Sequence, residues 1–165
     1  MTCSPQHVWI CAFIVLATAT GLPAARGGTV RDIEGTAQRD VLRGTTGRDV
    51  ICGRAGNDKI YGRDGRDFLL GGPGRDRLMG GRGDDEIQGR FGRDRLYGRR
   101  GGDQLVGRRQ ADLLAAGPGP DCLDAEDNNP RDVVHGGPGF DTAIVDDGDV
   151  VTEAKTPRSA TACMG

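Results

Sequence analysis

The chain has 165 residues, of which 29 are glycine and only 4% aromatic, so an ordinary globular core of this length would be thin. Charged residues supply 28%, yet the net charge is only −2. That excludes both the strongly basic balance of a nucleic-acid binder and the acidic balance of a solvating tail. Such a composition suits a disordered chain unless order is found along it.

Residues 8–22 form an apolar run that includes Trp9, Ile10, Phe13, Ile14, Val15 and Leu16. Pro23 and glycine-rich sequence follow too soon for a comfortable membrane span. Ala17 and Ala19 make an A-x-A pattern, and Ala24 or Ala25 offers a second cleavage point, so residues 1–25 are expected to be a secretion signal. The first seven residues lack Lys and Arg, which keeps open a retained N-terminal anchor. With the signal removed, the chain is expected to be secreted and soluble, meeting a membrane only if that segment is retained.

From Gly35 the sequence repeats every nine residues for ten units, as in GGPGRDRLM and GGRGDDEIQ. The sixth position is always Asp: Asp40, Asp49, Asp58, Asp67, Asp76, Asp85, Asp94, Asp103, Asp112 and Asp121. The eighth is always Leu or Ile, from Leu42 and Ile51 through Leu114 and Leu123. The first is Gly except at Ala116, and the fourth is Gly except at Gln38 and Gln110. A disordered linker has no reason to hold positions in phase, so a repeat architecture is expected. Glycines let each unit turn tightly, and its last three residues form a short strand. Alternation along a strand points the eighth side chain inward and its neighbours outward. Stacked coils then bury an aliphatic ladder, with parallel strands about 4.8 Å apart.

If two nonads make one coil, the aspartates fall into two columns. Carboxylates at that spacing repel one another and call for a cation. Calcium fits: it takes six to eight hard oxygen ligands, backbone carbonyls among them. Magnesium demands stricter geometry, and zinc would want His or Cys, which the turns lack.

These residues resemble the RTX, or haemolysin-type, calcium-binding repeat with consensus GGxGxDxUx. The resemblance covers residues 35–124 and returns at Gly136, Gly137, Gly139 and Asp141. It implies an all-β, right-handed parallel β-roll with calcium between turns of neighbouring coils, held by the aspartates and by turn carbonyls. Residues 71–79 and 80–88, opening with Gly71 and Gly80, carry the full glycine pattern. Elsewhere the second glycine is often Arg (Arg54, Arg63, Arg90, Arg99, Arg108) or Thr (Thr36, Thr45). Gln38 and Gln110 make the turns ending in Asp40 and Asp112 weaker candidates.

Ile33 lies one period before Leu42, so residues 26–34 are expected to cap the roll without a calcium site. After Leu123 the phase slips by two residues, and Asp132 and Val134 resume the pattern. The oxygen-rich insertion near residues 125–129 is either an enlarged calcium loop or, as we favour, a polar bulge. The roll is expected to span residues 35–144, with a closing strand in 145–151 and a tail to 165. Cys52 and Cys122 stand four coils apart, about 19 Å at the strand spacing, too far to bond. Cys163 could reach Cys122, which would leave Cys52 as a free outward side chain.

No enzyme is expected. His135 is the only His beyond the signal, and no nucleophile–base–orienter set is visible. The expected function is a secreted calcium-binding repeat protein whose ions drive folding. The alternative is a calcium-dependent carbohydrate- or polyanion-binding module, or an accessory subunit of a separate extracellular enzyme. The expected partners are calcium and, in that alternative, an extracellular polysaccharide or cell-surface molecule, with no nucleic acid. Arg48, Arg66, Arg75 and Arg93 each precede a repeat Asp; they read either as surface charge balance or as a basic ridge for a polyanion.

Overall fold

The protein is described from a computed structural model covering residues 30–127 and 131–154; the expected signal segment and the end of the tail lie outside these residues. Among the described residues every regular element is a strand. One seven-stranded parallel sheet holds β1 (Arg31–Glu34), β3 (Asp49–Cys52), β5 (Phe68–Pro73), β7 (Glu86–Phe91), β9 (Gln104–Arg109), β11 (Cys122–Asp124) and β13 (Thr142–Ile144), in that order. The other holds β2 (Val41–Arg43), β4 (Lys59–Asp64), β6 (Arg77–Arg82), β8 (Arg95–Arg100), β10 (Leu113–Ala115), β12 (Val133–His135) and β14 (Val150–Thr152). Odd and even strands therefore build opposite walls of a β-roll, two nonads to the coil.

The register follows the repeat. Ile60 aligns with Leu78 and Leu78 with Leu96, while Ile51 aligns with Leu69 and Leu69 with Ile87. From Ile51 to Leu123 every eighth-position side chain is 0% exposed. Each contributes about 1.5–3 kcal/mol relative to exposure. Ile33, Leu42 and Val151 pack on the ends of this ladder and are only partly buried. At the N-terminal end β1 pairs with β3 and extends the odd sheet by one strand.

The central strands run longer than three residues. From β4 to β9 each has six, because the second and third positions of the next nonad also pair, as in Arg63 with Gly81 and Asp64 with Arg82. The second position bends the chain at positive φ while keeping its bridge to the next coil.

The two-residue insertion is real: Leu114 aligns with Val134, twenty residues on, where Leu96 and Leu114 are eighteen apart. Pairing resumes beyond it without a break. The closing strand is shorter than expected, because residues 145–149 form a turn through Gly148 (φ 107°) and only Val150–Thr152 pairs with β12.

Cys52 and Cys122 are each disulfide-bonded. They lie four strands apart in one sheet, about 19 Å at the strand spacing, which a single disulfide does not span. The reading of Cys52 as a free thiol is thereby corrected.

Candidate metal centre

Each repeat Asp ends a turn just where the next strand starts, and its carboxylate is clamped by the coil before it. The Asp58 N–H donates to Asp76 Oδ1 at 2.8 Å, and the Asp76 N–H to Asp94 Oδ1 at 2.8 Å. In the other column the Asp67 N–H donates to Asp85 Oδ1, and the Asp85 N–H to Asp103 Oδ1, both at 2.9 Å. The chain of bonds crosses the insertion unbroken, from Asp112 N–H to Asp132 Oδ1 and from Asp121 N–H to Asp141 Oδ1.

Only one oxygen of each carboxylate is used this way. Oδ2 of Asp58, Asp67, Asp76, Asp85, Asp94, Asp103, Asp112, Asp121, Asp132 and Asp141 is buried with no hydrogen-bond partner. One such atom would already be a costly anomaly; a column of them along each wall is a pattern with a common cause.

First-position glycines show what surrounds these oxygens. A Cβ at Gly53 would stand 2.6 Å from Asp58 Oδ2 and 2.7 Å from the Gly71 carbonyl oxygen; at Gly71 it would stand 2.6 Å from Asp76 Oδ2 and 2.9 Å from the Gly89 carbonyl. Glycine is required here for close approach, since φ is not positive at either position. It leaves carboxylate and carbonyl oxygens of successive coils converging on one small space. Gly80 repeats the arrangement with Asp85 Oδ2 and the Gly98 carbonyl.

Burial raises the carboxyl pKa along the columns: to about 6 at Asp67, Asp94 and Asp103, to about 7 at Asp76, Asp85, Asp121 and Asp132, and to about 8 at Asp112. Asp58 shifts in the same direction. Loss of solvent is the main cause at each. The backbone hydrogen bond opposes it, and like-charged neighbours in the column add to it at most positions. A nearby divalent cation would reverse the balance, favouring the ionised form.

The first turn of each column is built differently. Asp40 Oδ2 accepts from the Thr36 N–H at 2.6 Å and from its hydroxyl at 2.9 Å. Asp49 Oδ2 accepts from the Thr45 N–H at 2.6 Å and from its hydroxyl at 3.1 Å. Threonine thus supplies in these two turns what the other carboxylates lack. Reading the sequence flagged Asp40 through Gln38 but missed Asp49; the usable signal was Thr at the second position of both repeats. Asp112 keeps the same place in its column as the other aspartates. Gln110 takes a positive φ of 79°, smaller than the 119–154° of Gly56, Gly65, Gly74, Gly83, Gly92, Gly101 and Gly119 at the same position, and Asp112 Oδ2 is left unpartnered like its neighbours.

Among the described residues no group of three or more His, Cys, Asp or Glu side chains could hold a metal ion. A cation in these columns must take one carboxylate per turn and complete its shell with main-chain oxygens. That donor set is hard and all-oxygen, so it fits calcium and not zinc.

A family model of the RTX calcium-binding nonapeptide repeat matches residues 34–69, 70–105 and 97–129, more than half of the chain. The protein belongs to the RTX calcium-binding repeat family. Among solved structures, the RTX roll is similar to a subunit of the mannuronan C5-epimerase of Azotobacter vinelandii, determined in solution, with 30% identity and a TM-score of 0.37. The likeness covers 56% of this chain and 62% of that one, so the RTX chain spans less than two thirds of its neighbour. No curated protein matches it.

Proposed function

We propose that this RTX chain is an exported calcium-binding protein that folds when calcium fills its two oxygen columns. The observation that carries the reading is the set of unpartnered, buried Oδ2 atoms, one per turn, with a carbonyl oxygen of the next coil close by at Asp58, Asp67, Asp76, Asp85, Asp103 and Asp141. In this reading Asp58, Asp67, Asp76, Asp85, Asp94, Asp103, Asp112, Asp121, Asp132 and Asp141 are ligands, helped by carbonyls such as those of Gly71 and Gly80. Asp40 and Asp49 are structural end turns closed by threonine. Bound calcium supplies positive charge that cancels repulsion along each column and satisfies the orphaned oxygens. The core is one aliphatic side chain per repeat, too little to hold together against uncancelled buried charge, so binding free energy becomes folding free energy.

Export suits this chemistry, since extracellular modules commonly bind calcium at about 10⁻⁴–10⁻³ M. We assign residues 1–25 to a cleaved signal, 26–34 to the N-terminal cap, 35–144 to the roll and 145–165 to the closing strand and tail. The test is circular dichroism of chain 26–165 during a calcium titration at neutral pH, with magnesium as control. The expected result is a cooperative change from coil to β-sheet with calcium alone. A fully folded chain in excess chelator would refute the proposal.

A further inference from the structure

The two walls of the roll carry the same column of buried aspartates but very different outer surfaces. On the wall of even strands, the residues before and after each Asp line a groove of about 510 Å³. Its centre is two rows of cations: Arg75 and Arg93 before the aspartates, and Lys59, Arg77 and Arg95 after them. Arg39 and Arg131 extend the first row towards either end. The corresponding positions on the odd wall hold Arg48 and Arg66, but also Asp84 and Glu86, and otherwise Val50, Phe68, Gly102, Gln104 and Pro120.

Balancing the buried aspartates does not explain the cations, because the odd wall has the same column with only Arg48 and Arg66 at these positions. Lys59, Arg77 and Arg95 are direct partners in the parallel register, an arrangement that costs stability when the charges are alike. Among the described residues none of the five central cations makes an ion pair with an outward carboxylate; Arg77 lies over the Tyr97 ring, 5.1 Å from its centroid, and keeps its charge. The carboxylates in the groove, Asp58, Asp76, Asp94 and Asp112, are buried at its floor, and calcium there would cancel them.

We propose that this groove binds a linear acidic polysaccharide along the stacking axis of the roll. The inference rests on calcium filling the columns, which is what leaves the groove with its full positive charge. Five of the six coils from Arg39 to Arg131 carry a cation, the Asp112 coil presenting Ala111 and Leu113 instead. The strand spacing of about 4.8 Å is comparable to the length of one sugar ring, so a chain with one anionic group per sugar can meet a cation on most coils. The span from Arg39 to Arg131 is five strand steps, about 24 Å. No aromatic side chain lines the groove, so it lacks the stacking platform that single-stranded nucleic acids use. Arginine pairs well with the carboxylates and sulfates of such a polymer.

The test uses chondroitin sulfate as probe, with neutral dextran and oligo-dT as controls, on chain 26–165 in saturating calcium. Circular dichroism on the same samples reports folding, so a failure to fold on calcium is seen separately from a failure to bind. Expected is binding of chondroitin sulfate that weakens as salt rises, with none to dextran. The variant R75Q/R77Q/R93Q/R95Q should fold at saturating calcium and bind at least tenfold more weakly, while R48Q/R66Q on the odd wall binds like the parent. A folded parent that ignores chondroitin sulfate, equal losses in the two variants, or tighter binding of oligo-dT would each overturn the proposal.

Discussion

Replacing Arg63 and Arg99 by glycine should stabilise the roll. Both occupy the second position of their nonads, in one edge column that reads Arg63, Gly81, Arg99. Their φ angles are 92° and 93°, a region where an L side chain costs roughly 1–2 kcal/mol per residue. Glycine removes that strain but has more freedom to lose on folding, which takes back about 0.5–1 kcal/mol. The net expectation is a gain of about 0.5–1 kcal/mol per site. The two sites stand two strands apart, about 9.6 Å, so their effects should nearly add, to about 1–2 kcal/mol. The choice of assay follows from this size. If each of the ten proposed ligand aspartates answers to one calcium taken up on folding, 1.5 kcal/mol is about 1.1 decades spread over ten ions at about 1.4 kcal/mol per decade. The calcium midpoint would then move by less than about 1.5-fold. Urea unfolding in saturating calcium is more sensitive: with m near 2 kcal/mol/M, the midpoint should rise by about 0.5–1 M at unchanged m. Gly81→Ala is the control, since its Cβ would run into the Arg63 carbonyl oxygen, and it should lower the midpoint. An unchanged or lowered midpoint for the Arg63→Gly/Arg99→Gly variant would refute the reasoning, showing that the arginine side chains contribute more than their backbone strain costs.

Other expectations follow from the same geometry. Leu78→Ala opens a gap in a fully buried ladder and should cost about 2–5 kcal/mol in urea, whereas Leu42→Ala at the partly buried end should cost clearly less. Asp76→Ala removes a carboxylate whose Oδ2 awaits a cation, and should raise the calcium midpoint of folding and broaden the transition. Asp40→Ala breaks only the bonds to Thr36 and should fray the first coil; equal damage from the two would show that the threonine-closed turn is not distinct. Carboxyls whose folded pKa lies above the ordinary 3.8 favour the folded state while protonated. Their stabilisation is complete below about pH 4 and is lost as pH rises through about 6–8. Metal-free protein should therefore gain β-structure by circular dichroism as pH falls from 8 to 4, and a flat profile would count against buried, uncompensated columns. Thr45→Val deletes the hydroxyl's bond to the Asp49 carboxylate and the bond it accepts from the Gly47 N–H and should cost about 1–2 kcal/mol in urea.

The nine-residue phase alone determined most of this protein. Asp at every sixth position and Leu or Ile at every eighth dictate which side chains face in, because side chains alternate along a strand; two nonads to the coil entered as a condition, which the pairing of residues eighteen apart then meets. The insertion after Leu123 and the strand before Leu42 were legible from the same phase. Three features waited for the folded chain, each because it depends on atoms from different coils. Which carboxylate oxygens are satisfied depends on whether the second residue of the turn is threonine or a residue at positive φ, so Asp49 separates from Asp58 only when the turn is built. Gln110 looked like a defect in the motif, yet its backbone also turns at positive φ and leaves Asp112 Oδ2 unpartnered like its neighbours. The two rows of arginine and lysine beside the even-column aspartates are invisible along the chain, where cations are scattered through the repeats. They emerge when alternate nonads are stacked, because stacking brings residues eighteen apart to within one strand spacing and so turns a scattered composition into a charged groove.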